Sequence, residues 1–86
     1  MEKTKLEKLL DDEEVLKGIT AIDSGMKVYR PDKVLDYLVL SYKDYHVAYL
    51  YDFERDILVD AKAKKLEDAQ ELAVEKIEKK LNRNYH

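Results

Sequence analysis

The sequence predicts an α+β fold with an N-terminal helix, an antiparallel β-meander of three to five strands, and a C-terminal amphipathic helix packed on one face of the sheet. Two observations predict it: the middle of the chain is rich in β-branched and aromatic residues, and both ends carry apolar residues at helical spacing. Because the 86 residues include only 2 Gly and 1 Pro, turns are few and the elements should be long. A chain of this length has room for one hydrophobic core, so we expect a single small domain over residues 1–86.

The first element is predicted to be a helix over Lys5–Lys17. Thr4 and Glu7 have the spacing of a capping box, in which each side chain satisfies a backbone amide at the start of a helix. Gly18 stands where a helix commonly ends. The acidic run inside this segment contains Asp12, a residue that could cap a second short helix, so a break there stays open.

The strand-forming segments come next along the chain. Ser24-Gly25 is predicted to form a two-residue hairpin turn, and Pro31 interrupts the chain after it. Lys43-Asp44 separates two segments that are rich in aromatic and β-branched residues. The predicted strands are, in order, Ile19–Asp23, Met26–Arg30, Tyr37–Tyr42, Tyr45–Tyr51 and Ile57–Lys64.

The closing helix is predicted over Leu66–Leu81. Its apolar residues recur at spacings of three and four and form one stripe, which consists of Leu66, Ala69, Ala73, Ile77 and Leu81. Alternation along the last strand directs one set of side chains toward this helix. That set consists of Ile57, Val59, Ala61 and Ala63, and simple hairpins add Tyr37, Val39, Ala48 and Leu50 to the same face.

The opposite face of the sheet is the candidate interface, because it is too apolar to be left in water. Strand register assigns to it Leu38, Leu40, Tyr42, Tyr45, Val47, Tyr49 and Tyr51. Three covers stay open: the N-terminal helix, a protein partner or second copy of the chain, and a nucleic acid or small ligand. Tyrosine is enriched at protein interfaces, and exposed aromatic rings on a sheet also stack bases.

No residue set with catalytic or metal-binding chemistry is found. The chain has no Cys, which excludes disulfides and thiolate zinc sites. Asp52, Glu54 and Asp56 alternate as calcium ligands do, but the Gly and Glu that complete such a loop are missing, so we expect an acidic, solvated turn. Ser41 faces His46, and a nucleophile would still need an orienting acid and an oxyanion site. We therefore expect no enzyme activity, no cofactor and no metal.

A basic stripe lies along one side of the closing helix. Its residues, which are candidate phosphate contacts, are Lys76, Lys79, Lys80 and Arg83. The formal net charge of the chain is −3, whereas duplex-binding domains usually carry a strong basic excess. Nucleic-acid binding is therefore disfavoured. Cations also collect at helix C-termini because they complement the helix dipole.

The composition carries hints about source and location. No apolar run approaches the length of a membrane helix and the N-terminus is too charged for a signal peptide, so we expect a cytoplasmic protein without membrane contact. Abundant Lys and Glu with scarce Gln and Asn resemble heat-adapted proteins, although AT-rich bacterial and viral genomes give similar compositions.

The order of strands followed by a helix that begins Leu66-Glu-Asp-Ala69 resembles that of many small prokaryotic and phage proteins, including antitoxins of the HicB type. The Pro-Asp-Leu-Pro-Gly signature of those antitoxins is absent, so no functional residue is carried over.

These observations predict a non-catalytic protein-interaction module. It would act as a homodimer or as a small inhibitor or adaptor of a host or partner protein, with phage, viral or mobile-element origin open. The alternative is a small nucleic-acid-binding domain that uses the tyrosine-rich sheet face or the basic last helix.

Overall fold

A four-stranded antiparallel sheet and helices from both ends of the chain form the fold in the computed structural model, which describes residues 4–83. The elements are, in chain order, α1 (Lys5–Leu9), α2 (Glu13–Leu16), β1 (Ile19–Arg30), β2 (Lys33–Tyr42), β3 (His46–Asp52), β4 (Ile57–Ala63) and α3 (Leu66–Arg83). The strands lie side by side in sequence order, so the predicted α+β meander is confirmed. Within residues 4–83, no helix is long and apolar enough to cross a membrane.

The N-terminal segment forms two short helices rather than the single predicted one. Thr4 Oγ1 accepts a hydrogen bond from the Glu7 amide at 3.2 Å, which starts α1. Asp12 Oδ1 accepts one from the Glu14 amide at 3.0 Å, which starts α2. The break follows from this second cap, because a side chain that satisfies a first-turn amide favours a new helix start. Gly18, with φ +80°, ends the segment in a conformation that suits glycine.

The predicted hairpin at Ser24-Gly25 is wrong, because β1 runs through it as one strand of 12 residues. Gly25 pairs with Tyr37 of β2, and a Cβ at Gly25 would lie 3.0 Å from Cε2 of that ring. The glycine therefore permits a close approach across the strand pair instead of making a turn. The chain reverses at Pro31-Asp32, where proline's fixed φ and missing N–H interrupt the strand.

The main core lies between α3 and the sheet, chiefly over β3 and β4. Four members of the predicted helix stripe are buried there, and they are Ala69, Ala73, Ile77 and Leu81. The strand alternation is also confirmed, since Val39, Ala48, Leu50, Val59 and Ala61 form the sheet side of this core. Leu66 departs from the prediction: it is 40% exposed because it begins the helix.

A second apolar cluster lies on the opposite face of the sheet, under α1 and α2. Leu6 of α1 is buried there against Leu38, Leu40 and Tyr51. Further apolar residues of the N-terminal segment pack around them, namely Leu9, Leu10, Val15 and Ile19. The intramolecular cover that the sequence left open is therefore present in the structure.

Candidate interaction surface

The residues predicted to form an interface lie mainly beneath the N-terminal helices. Leu38, Leu40 and Tyr51 are 1%, 0% and 5% exposed. The other four are half-buried, and they are Tyr42, Tyr45, Val47 and Tyr49. A partner that used the centre of this face would have to displace α1 and α2 and break the cluster around Leu6.

Two of the tyrosines form contacts within the chain. The Tyr42 hydroxyl donates a hydrogen bond to the Val15 carbonyl, and the rings of Tyr42 and Tyr45 stack with centroids 4.7 Å apart. The Lys62 ammonium lies 4.1 Å from the centroid of the Tyr45 ring, within cation–π range. Burial raises the pKa of Tyr42, and the neighbouring Tyr45 raises it further. These contacts occupy rings that base stacking would otherwise require.

A hydrogen bond and an ion pair of Asp56 lie at the border of the same face, beside α1. The Tyr51 hydroxyl donates to Asp56 Oδ1 at 2.5 Å, and Lys5 Nζ lies 3.2 Å from Asp56 Oδ2. The hydrogen bond to Asp56, together with burial, raises the pKa of Tyr51 to about 12. The same bond and Lys5 lower the pKa of Asp56. These two contacts connect α1 to the turn between β3 and β4.

The predicted acidic turn is not fully solvated, because Asp52 is 1% exposed. Lys33 Nζ lies 2.7 Å from Asp52 Oδ2, and the Glu54 amide donates to Asp52 Oδ1 at 3.0 Å. Burial alone would raise the pKa of Asp52, but Lys33 and Arg55 outweigh burial and lower it. Sequence spacing does not reveal this pair, because Lys33 is the first residue of the neighbouring strand β2 and lies far from Asp52 along the chain. No metal-holding group of three or more His, Cys, Asp or Glu side chains occurs in the described part of the chain.

Ser41 and His46 meet across β2 and β3, as predicted from the register. Ser41 Oγ lies 2.7 Å from His46 Nδ1, a normal hydrogen-bond distance. Within residues 4–83, no carboxylate hydrogen-bonds to this imidazole. The geometry is that of a cross-strand pair that satisfies two half-buried polar groups.

The basic residues of α3 are exposed, with Lys76, Lys79 and Lys80 beside β4. Lys76 Nζ donates to the Asp60 carbonyl at 2.6 Å. The side chain of Arg83 lies outside the described residues. Phosphate contact by this stripe stays a prediction, and one of its ammonium groups is bound to the chain's own backbone.

The largest exposed apolar side chains of the sheet lie at β1. Ile22, Met26 and Val28 are 49%, 75% and 71% exposed. Val34, the β2 partner of Val28, is 52% exposed. The sequence does not reveal this strip, because the predicted turn at Ser24-Gly25 interrupts the alternation. As one strand, β1 places its even-numbered residues from Ile22 to Val28 on the face of Leu38 and Leu40.

The two edges of the sheet differ in length and protection. β4 has 7 residues, and Lys76 donates to one of its carbonyls. Both edges carry exposed charges, Asp60 and Lys62 on β4 and Asp23 and Lys27 on β1, so length and the Lys76 hydrogen bond are what distinguish them. β1 has 12 residues, and in the described chain it pairs only with β2. The β1 edge is thus the better surface for a partner strand.

Concave surfaces flank β1 on both faces. A cleft of about 270 Å³ lies between the sheet and α3, where Asp23, Tyr37 and Val74 form part of the wall. A groove of about 280 Å³ lies between α1 and the sheet, beside Leu10 and Met26. Both arise because the covering helices stop short of β1. A strand added to this edge would meet side chains on both faces of the sheet.

No protein family, curated protein or solved structure matches this chain. The feature that sets β1 apart is the combination of a long edge strand with exposed apolar side chains.

Proposed function

We propose that the chain is a non-catalytic protein-interaction module that binds a partner through the free edge of β1. The observation that carries this proposal is the exposure of Ile22, Met26 and Val28 on an edge strand of 12 residues. An edge strand presents unpaired N–H and C=O groups to any strand that approaches it. Strand addition would satisfy those groups and would bury the apolar side chains beside them.

The two faces of β1 define the chemistry of the partner strand. One face carries Ile22, Met26 and Val28, so the partner should present apolar side chains there. The other face carries Asp23 and Lys27, which register with Val39 and Leu35 of β2. A matching partner places a cation opposite Asp23 and an anion opposite Lys27, because opposite charges stabilise cross-strand pairs.

A matched pair of substitutions tests the proposal. Val28 and Phe53 are both 71% exposed, but Phe53 lies in the turn between β3 and β4, and neither of these strands pairs with β1. The wild-type chain and its Val28→Glu and Phe53→Glu variants would be compared by light scattering and by affinity capture from the source organism. We expect Val28→Glu to weaken association at least about tenfold and Phe53→Glu to leave it unchanged.

Undiminished association of the Val28→Glu variant would contradict the proposal, because the interface would then lie elsewhere. A parallel titration uses random single- and double-stranded oligonucleotides. Salt-dependent oligonucleotide binding that persists in Val28→Glu, without a captured protein, would support the nucleic-acid alternative instead.

A further inference from the structure

We propose that the partner of β1 is β1 of a second copy, paired antiparallel with Gly25 of one chain opposite Gly25 of the other. This inference rests on the proposed function, since it uses the same edge. It adds the identity of the partner and the register of the pair. The two sheets would join into one continuous sheet of eight strands, related by a two-fold axis normal to it.

The irregularities of β1 limit the part of the strand that can pair. Its ladder with β2 is interrupted between Ile19 and Ala21 and again between Val28 and Arg30. Residues 21–28 between these interruptions pair regularly with β2. Bulges bend a strand and stop regular pairing, so a second copy has this regular stretch available.

Charge selects one register among the symmetric ones. In a symmetric antiparallel pair, one residue faces its own copy and the residues on either side face each other in reverse order. With Gly25 at the centre, Asp23 of each chain faces Lys27 of the other. Centring the pair on Asp23 or on Lys27 puts like charges opposite, which destabilises a cross-strand pair. Centring it on either neighbour of Gly25 leaves both charges without an opposite partner.

The same register matches the apolar face. Ile22 of each chain then lies opposite Val28 of the other, and Met26 lies opposite Ser24. Ile22, Val28 and Met26 are the exposed apolar residues of β1. They would form one continuous strip across the two-fold axis, in which each side chain shields the facing side of its neighbour from water.

Gly25 suits the centre of such a pair. The ring of Tyr37 already packs against Gly25, where a Cβ would lie 3.0 Å from Cε2 of that ring. The Tyr37 hydroxyl also reaches Asp23 Oδ1 at 3.4 Å. A ring that packs over a glycine compensates for the missing side chain in a strand. The centre of the pair therefore brings two backbones together without side-chain crowding.

The charge-swap test uses Asp23→Lys and Lys27→Asp. By sedimentation velocity, each variant alone should dimerise at least about tenfold more weakly than the wild type, because two attractive pairs become repulsive. An equimolar mixture should form a heterodimer as stable as the wild-type dimer, because every cross-strand pair is again of opposite sign. Lys27 also lines a groove with Glu67 and Glu71, and recovery in the mixture separates the intermolecular effect from that local one.

Cysteine pairs test the register independently, since the chain has no Cys of its own. A mixture of Ser24→Cys and Met26→Cys chains should form a mixed disulfide faster than either variant forms one with itself, because only opposed residues have the required separation. A Val34→Cys chain, exposed on the neighbouring strand, serves as the control and should crosslink slowly with both.

A wild-type chain that stays monomeric up to about 1 mM would overturn the self-pairing. Capture of another protein that is sensitive to Val28→Glu would then leave the proposed function standing. A wild-type dimer that tolerates both charge swaps, or that crosslinks faster through Val34→Cys, would also overturn this register. If Val28→Glu leaves every association intact, the proposed function fails together with this inference.

Discussion

The two sides of the sheet, β1 at one edge and β3 with β4 at the other, have similar residues but different surroundings. At β3 and β4, α3 covers one face and the N-terminal helices lie over the other, so Leu50 and Tyr51 are 4% and 5% exposed. At β1 neither cover extends far enough, and Met26 and Val28 are 75% and 71% exposed. The apolar pattern of a strand thus shows which side chains would gain from burial. The extent of the helices over the sheet determines which of them are buried.

The widths of the elements explain why the cover stops. A helix with its side chains is about 10–12 Å across, and neighbouring strands lie about 4.8 Å apart. One helix therefore covers two or three strands of a four-stranded sheet. α3 lies over β4 and β3 on one face, and the other face, which carries Met26 and Val28, is covered only by the short helices α1 and α2. The difference between the ends is a consequence of having only one long helix in the described chain.

Two residues that pair with each other should differ most in how well they tolerate a charge. Leu40 of β2 and Ile22 of β1 are cross-strand partners, but they are 0% and 49% exposed. Leu40→Glu should cost more than about 4 kcal/mol, because it buries an unpaired charge. Ile22→Glu should change the free energy of unfolding by less than about 1 kcal/mol, since it remains in water. Urea unfolding followed by circular dichroism measures both.

A cooperatively folded Leu40→Glu variant of wild-type stability would contradict the cover by α1 and α2. The same experiment bears on the interface first predicted from the sequence. If Leu40→Glu kept its fold and lost only association, the face beneath the N-terminal helices would be an interface after all. Ile22→Glu should do the reverse, with an intact fold and weaker self-association.

A smaller loss of stability is expected from removal of the Asp52–Lys33 ion pair, which joins the start of β2 to the end of β3. Asp52→Asn should cost about 2 kcal/mol, less than the 3–5 kcal/mol for a fully buried pair. The cost is reduced because an Asn can still accept the turn amides that Asp52 binds. The exposed Asp44→Asn serves as the control and should change stability by less than about 0.5 kcal/mol.

Acid should reduce this difference between Asp52→Asn and the wild type. The folded-state pKa of Asp52 is lowered, so the stabilised form is the carboxylate. Its contribution is present above the ordinary Asp pKa of about 3.9 and is lost as the pH falls toward the lower folded value. The free energies of unfolding of the wild type and Asp52→Asn, measured from pH 6 downward at about unit intervals, should converge below about pH 4. A difference that grew on acidification would contradict the ion pair.

The sequence predicts the fold and the core beneath α3 well, because alternation and helical spacing act over short distances. The stripe that contains Ile77 and the alternation through Val59 and Ala61 place the main core correctly. The prediction fails at Ser24-Gly25, since a turn and a close approach both favour glycine and only the packing of Tyr37 distinguishes them. That single error hides the exposed strip on β1. The Asp52–Lys33 pair is missed because it joins residues distant in sequence.

The smallest expected effect lies at the rim of the covered end, where Tyr51 hydrogen-bonds to Asp56. The folded-state pKa of Tyr51 is about 12, above the ordinary Tyr value of about 10, so the neutral hydroxyl is the stabilised form. Its contribution is full below about pH 10 and is lost as the pH rises toward the folded value. Tyr51→Phe should therefore have a slightly lower thermal midpoint at pH 8, and the difference should vanish near pH 12. Tyr45→Phe, which removes the hydroxyl of a half-buried tyrosine on the same face, controls for the general alkaline loss of stability. If the Tyr51→Phe and wild-type midpoints stay parallel up to pH 12, this hydrogen bond does not hold α1 to the rim, and apolar packing around Leu6 alone covers this end of the sheet.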